Sequence, residues 1–199
     1  ANWLDDASNN IDGYKHTKTW HYKNVDEGQT YESMPLNEKG DVVRAINEQT
    51  ERLRSGKLSH DEEALALKML IHFVGDMHQP MHLGHLSDLG GNTTKVYYFG
   101  RETNLHSVWD NDLPEAVHKW SYTEWQQQID RLSDEECSRI AAGTPDDWAR
   151  QTLQLSRRVY AMTPAGTRIS YAYLVDAREI VERQLEAGGL RLAWLLNSI

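Results

Sequence analysis

Between Asp41 and Leu53 the apolar positions Val42, Val43, Ile46 and Leu53 recur with polar residues between them, the period of a helix with one buried face. A longer helix is predicted from Lys57 to Gly75, where Ser59 stands as N-cap and Glu62, three residues on, completes a capping box. Pro80 lacks a backbone donor and crowds the preceding turn, so that helix should kink or end there. The run TTKVYYF, Thr93 to Phe99, is rich in β-branched and aromatic residues and follows the turn signal Gly90-Gly91. It predicts a strand, set in a small β-hairpin. Asn104 is a candidate N-cap for the next helix. Further helices are predicted at Tyr122 to Arg131, Pro145 to Tyr160 and Ile169 to Ala187. Gly188-Gly189 should stop the last of these before a short terminal helix, Leu190 to Asn197. No repeat, low-complexity tract or Pro/Gly/Ser linker divides the 199 residues, so the pattern predicts a mainly α fold in one domain spanning 1–199.

Composition adds constraints. The chain is 39% apolar, with seven Trp and nine Tyr, enough for a real core. No run of about 18 apolar residues is present, so no membrane span and no stable membrane association are expected. A basic-then-apolar leader is also not seen. The single cysteine, Cys137, excludes an intrachain disulfide and any framework of zinc thiolates, so a metal here must be bound by His and Asp. A net charge of -9 excludes a module that grips nucleic acid by a broad basic face. It does not exclude an enzyme that meets phosphates through bound cations, because each divalent ion adds two positive charges where they matter.

The stretch LIHFVGDMHQPMH, Leu70 to His82, places charge inside an apolar helix. Imidazole and carboxylate are costly there unless paired or bound to metal. His72 and Asp76 are four apart and share one helix face about 6 Å apart. His82 lies on the wrong face of a straight helix, but a break at Pro80 lets it swing back toward Asp76, whose two oxygens could bridge two ions. His78 points away from that face and reads as structural. The spacing recurs in NLHSVWD, with His106 and Asp110 at i, i+4. A looser pair is Asp5 in NWLDD and His21 in TWHY. Zinc accepts this mixture of donors. Trp20 and Trp109 read as packing residues, and His16, His60, His85 and His118 as solvent-facing or local hydrogen-bonders. Asn92-Thr93-Thr94 matches a glycosylation acceptor, a short and common pattern.

Taken together, LIHFVGDMHQPMH, GHLSDLGGN and NLHSVWD closely resemble the zinc-dependent single-strand-specific nuclease and 3′-nucleotidase family, the S-one/P-one nucleases. The order of NWLDD, TWHY, these motifs and the closing AGGLRLAWLLN extends the resemblance over nearly the whole chain. It implies a mainly helical fold of the phospholipase C/nuclease type with a trinuclear zinc cluster in a cleft. Carried over by motif, one zinc would be held by Asp5, His21, His72 and Asp76, and a second by His82, His106 and Asp110. Asp76 would also face a third, completed in that family by an amino-terminal Trp and a nearby His. The sequence begins Ala1-Asn2-Trp3 with no such segment ahead of NWLDD. Ala1 could lend its amine but brings no imidazole, so two zinc ions are expected in this chain and three in the complete family site, whose first helix appears here to be missing.

The resemblance also implies roles. Asp76 and Asp5 would be catalytic through the metals. Tyr22 would stack on a base, Asn24 would meet the base edge where the family usually has an acid, and Asn92 would contact the nucleotide. Ser8 stands where the family commonly has a basic residue, which leaves Lys15 and Lys18 as candidate replacements. The implied reaction is hydrolysis of single-stranded DNA and RNA by metal-activated water, leaving 5′-phosphates, together with 3′-nucleotidase activity. Implied partners are single-stranded nucleic acid and nucleotides, the implied state is a monomer, and the implied location is secreted or periplasmic. Two rivals stand beside this. One is a zinc phospholipase C, which typically has Glu where this chain has Asp110. The other is a non-catalytic helical binding protein stabilised by zinc.

Overall fold

The computed structural model describes residues 3–199; the reading of the Ala1 amine lies outside the described residues. The order is α1 (Trp3–Asn10), a 3-10 turn Asp12–Thr19, α2 (Val42–Arg54), α3 (His60–His78), a 3-10 turn Pro80–Leu83, β1 (Lys95–Tyr98) and β2 (Arg101–Asn104). There follow α4 (Leu105–Ser107), a π-turn Val108–Asp112, α5 (Leu113–Ala116), α6 (Tyr122–Ile129), α7 (Asp134–Ala141), α8 (Pro145–Met162), β3 (Arg168–Ile169) and α9 (Tyr171–Asn197). With 63% of residues helical, the fold is mainly α.

Local chemistry sets these boundaries. Ser59 caps α3 and Glu62 returns the bond to the Ser59 backbone, the expected capping box, although the helix starts at His60 rather than Lys57. Its end is set by Pro80: Gln79 leaves helical geometry and the chain turns into the 3-10 segment. The hairpin between β1 and β2 turns at Phe99 and Gly100, both with positive φ, as a tight two-residue turn requires. A third strand, β3, adds to β1 in parallel, making the order β2-β1-β3. The sheet therefore exceeds the expected hairpin, and Ile169 belongs to it rather than to a helix. Asn104 caps α4 through Ser107 N at 2.8 Å, as its sequence position suggested.

Two expectations fail. α7 was not anticipated, although Ser133 and Glu136 form a capping box at its start. α9 does not stop at Gly188-Gly189 but continues to Asn197. Neither glycine takes the positive φ of a helix stop, and Leu195 beyond them is buried in the core, which holds the helix through this point.

The long α9 spans both halves of the core. Its end, with Leu195, joins a cluster of Leu4, Val42, Ile46, Leu70, Phe73, Met77 and Trp148. Its beginning, with Tyr173, Ala177 and Ile180, joins Met81, Val96, Leu105, Trp109 and Ile169. Phe73 and Met77 of α3 belong to the first cluster and Met81 to the second, so His72, Asp76 and His82 fall in the stretch of chain that passes from one to the other.

Candidate metal centre

Asp5 from α1, His21 from the turn after the first 3-10 segment, and His72 and Asp76 from α3 converge although as many as 71 positions separate them. Asp76 Oδ2 lies 2.9 Å from His21 Nδ1 and 3.0 Å from His72 Nε2. Those two nitrogens are 2.9 Å apart. Asp5 Oδ1 lies 3.2 Å from His21 Nδ1 and 3.7 Å from His72 Nε2. A tetrahedral zinc with ligands at roughly 2.0–2.1 Å has ligand–ligand edges of about 3.3 Å. The five edges measured here bracket that value, and the donor set suits the ion: two imidazoles and two carboxylates, no thiolate.

A second group forms beside it. His82 Nε2 lies 3.5 Å from Asp110 Oδ1, and one donor atom each of His82, His106 and Asp110 falls within 4.8 Å of the others. Both imidazoles are oriented by carbonyls. His82 Nδ1 faces His21 O at 2.8 Å, and His106 Nδ1 faces Gly90 O at 2.8 Å. A carbonyl only accepts, so each Nδ1 carries a proton, which leaves Nε2 as the nitrogen that could offer a lone pair to a metal. The two rings stack 5.2 Å apart and 14° from parallel. Asp110 accepts from Gln79 Nε2 at 3.3 Å. Trp109, beside it, is buried and donates to Tyr173 Oη at 3.0 Å, which anchors the π-turn; such turns recur at functional sites.

Asp76 joins the groups. Its Oδ1 lies 3.6 Å from His82 Nδ1 while Oδ2 serves the first group. The break at Pro80 is what returns His82 to this position. Backbone bonds hold the return: Lys23 N donates to His82 O and Val25 N to Gly84 O, each at 2.8 Å.

The electrostatics match a cation site. Burial would raise the Asp5 carboxyl, but bonds to His21 and His72 outweigh it and hold it well below the usual range. Burial opposes ionisation of Asp76 too, yet the His82 charge and bonds from His21 and His72 hold it low. Burial alone would depress His21; bonds to Asp5 and Asp76 raise it instead. His82 is raised against burial by Asp76 and Asp110. His106 is lowered by burial and by the facing His82.

The groups open into a cleft of about 950 Å³ that also takes in Tyr22, Asn24 and Asn92. Asn24 is buried, and its Oδ1 has no hydrogen-bond partner among the described residues. Asn92 is exposed and donates to Leu89 O at 2.8 Å. Ser8 is buried and turns its hydroxyl to Asp5 O at 3.0 Å. Lys18 lines the cleft, whereas Lys15 pairs with Asp12 at the surface. His78 lies outside both groups: Nδ1 donates to Val74 O at 2.7 Å and Nε2 accepts from Arg191 at 2.9 Å, while burial pushes its pKa down to about 4. The surface reading of two other histidines is corrected. His85 stacks on Tyr160 with ring centres 3.8 Å apart, and His118 stacks on Trp120 at 3.6 Å while bonding Glu182. Aromatic neighbours 75 and 2 positions away hold them in place.

A helical fold that gathers two adjoining His/Asp groups in one cleft offers two candidate metal sites. Residues 1–199 match the model of the S1/P1 nuclease family, and the chain belongs to that family. It is 34% identical to Endonuclease 3 of Arabidopsis thaliana over 162 residues, 73% of this chain and 54% of that protein. Against Nuclease P1 of Penicillium citrinum it is 41% identical over 184 residues, 80% of this chain and 67% of that protein. Endonuclease 2 of Arabidopsis thaliana is 31% identical over 94% of this chain and 73% of its own length. The chain spans about half the length of the first of these relatives.

Proposed function

We propose that this chain is the core of a zinc-dependent endonuclease and 3′-nucleotidase that hydrolyses single-stranded DNA and RNA to 5′-phosphorylated products. The observation that carries the reading is the convergence of Asp5, His21 and His72, with Asp76 Oδ2 within 3.0 Å of both imidazoles, next to a second group, His82, His106 and Asp110. Zinc bound there supplies Lewis acidity, lowering the pKa of water toward neutrality and screening phosphate charge. The protein residues do the rest. Asp5 and Asp76 concentrate negative charge that holds cations against the phosphate, and Asp76 links the two groups. Tyr22 follows His21 directly and offers a ring to an unpaired base, whose face a duplex would hide. Asn24 offers both a donor and an acceptor to a base edge, and Asn92 stands at the cleft mouth. Lys18 is the cation placed to meet a phosphate where the chain has Ser8.

No helix among the described residues is long and apolar enough to cross a membrane. We assign the protein to the secreted or periplasmic space and read it as a monomer, on the strength of the family resemblance.

Zinc analysis of the purified chain, paired with cleavage of single-stranded and duplex DNA, RNA and a 3′-nucleotide, tests the reading. About two zinc ions per chain and a preference for single strands are expected. Less than one zinc per chain overturns it.

A further inference from the structure

Tyr160, on α8, lies far in sequence from every ligand in the two metal groups, yet its hydroxyl sits between the two turns that orient His82 and His106. It accepts from His85 N at 3.1 Å and donates to Asp88 Oδ1 at 2.8 Å. Asp88 in turn accepts from Gly91 N at 2.8 Å through Oδ1 and from Thr94 Oγ1 at 2.6 Å through Oδ2. The segment so gripped is Leu89-Gly90-Gly91, three consecutive residues with positive φ of 56°, 66° and 83°. Leucine in that region is strained, and such a conformation persists only where its surroundings enforce it.

The turn has little choice of sequence. A Cβ on Gly90 would come 2.6 Å from Met81 O. One on Gly84 would meet Gly90 Cα and the Tyr160 hydroxyl, both at 2.8 Å, so the hydroxyl occupies space that only glycine leaves open. What the turn delivers is the Gly90 carbonyl, the acceptor for His106 Nδ1 at 2.8 Å, while Gly91 O accepts His106 N at 3.3 Å. On the other side, Gly84 closes the Pro80–Leu83 turn that carries His82, by Gly84 N to Met81 O at 3.1 Å. One phenol thus touches the supports of both stacked imidazoles.

We propose that Tyr160 and Asp88 are positioning residues for the metal group of His82, His106 and Asp110, acting through the Gly90 carbonyl. The proposal rests on the zinc reading above and assigns these two side chains to one of its two sites. Groups that orient a ligand through its second nitrogen typically contribute 10–100-fold to metal affinity.

The test is zinc competition against a chromogenic chelator on the full 199-residue chain, comparing wild type with Tyr160→Phe, Asp88→Asn and Tyr31→Phe. Tyr160→Phe keeps the ring stacked on His85 and deletes only the hydroxyl. Tyr31→Phe is the matched control: it removes another phenol bonded to an aspartate, Asp146 at 2.8 Å, and that hydroxyl has no bond to either group or to the Gly90 turn among the described residues. The expected result is that Tyr160→Phe and Asp88→Asn each weaken one zinc at least tenfold and leave the other unchanged, while Tyr31→Phe alters neither. In an Asp110→Asn background, where only the four-ligand group remains complete, adding Tyr160→Phe should change nothing. Equal weakening of both zincs, or the same loss in Tyr31→Phe, would show general loosening and overturn the assignment, as would unchanged affinity. A wild-type chain holding less than one zinc fails at the earlier step and overturns the metal reading itself.

Discussion

His21 Nδ1 and His72 Nε2 stand 2.9 Å apart, and both lie within 3.0 Å of one oxygen of Asp76. Two imidazole nitrogens at that distance either share a proton or turn their lone pairs on a common cation. Three other residues packed on the pair decide what is affordable. Phe73 meets both rings edge-on, Asp5 adds a second carboxylate, and His82 brings further positive charge to Asp76.

Asp76→Asn should therefore abolish hydrolysis and remove more zinc than His106→Ala does. The amide loses the charge and one ligand oxygen at the point shared by the two groups, whereas His106 serves one group only. Because His21 is held above the ordinary imidazole range and zinc requires its lone pair, zinc uptake near neutral pH should release protons and weaken as pH falls. Elemental analysis of both variants and calorimetry in two buffers of different ionisation enthalpy provide the check. Equal zinc content in the two variants would end the bridging role of Asp76.

Arg191 should matter to stability rather than to zinc. It is buried, its charge pairs with no carboxylate among the described residues, and burial lowers its pKa to about 10, still protonated at neutral pH. Its hydrogens go to His78 Nε2, to Ile140 O at 3.0 Å and to Gln151 Oε1. Arg191→Met leaves those acceptors dry and unpaired, so it should destabilise the chain by about 2–4 kcal/mol. A urea midpoint lowered at constant slope, with zinc stoichiometry unchanged, is the expected outcome.

Part of the candidate site could be read from the chain because some of its residues are periodic. His72 with Asp76, and His106 with Asp110, are i, i+4 pairs on helical turns, and one proline explains why His82 joins them. The Tyr160–Asp88 grip could not be read, because a phenol on α8 and a strained turn 72 residues earlier share no period, only a fold. The same limit applies to α9. Gly188-Gly189 is a stop signal in isolation, and only the burial of Leu195 beyond it shows why the helix runs through. β3 is two residues long, too short for any alternation to register.

The two glycines of α9 should respond differently to alanine. Around Gly189 an added Cβ meets nothing within 4 Å, so Gly189→Ala should stabilise the helix by about 0.5–1 kcal/mol through reduced freedom of the unfolded chain. At Gly188 the methyl would meet the His78 ring at 3.4 Å, an ordinary contact, so Gly188→Ala should gain the same propensity and bury a methyl as well. Thermal unfolding of the two single variants decides the order. If Gly188→Ala proves the less stable, the His78 ring crowds the added methyl and packing keeps glycine there.

Tyr22 provides the test of how a single strand would be held. The segment bearing it is fixed on both sides: Lys23 N donates to His82 O at 2.8 Å, and Tyr22 O accepts from Val42 N at 3.3 Å. Its ring lines the cleft next to His21, so a base resting on it would set a sugar phosphate beside the His/Asp groups. Base–aromatic stacking contributes roughly 1–3 kcal/mol per base, so Tyr22→Ala should weaken nucleotide substrates by a factor of about 5 to 150 in kcat/KM. The zinc ligands are untouched, so metal content should stay at the wild-type value. An abasic sugar phosphate has no ring to stack and should be cleaved equally well by both proteins. If Tyr22→Ala slows the abasic and the complete nucleotide alike, the ring packs the site rather than binding the base.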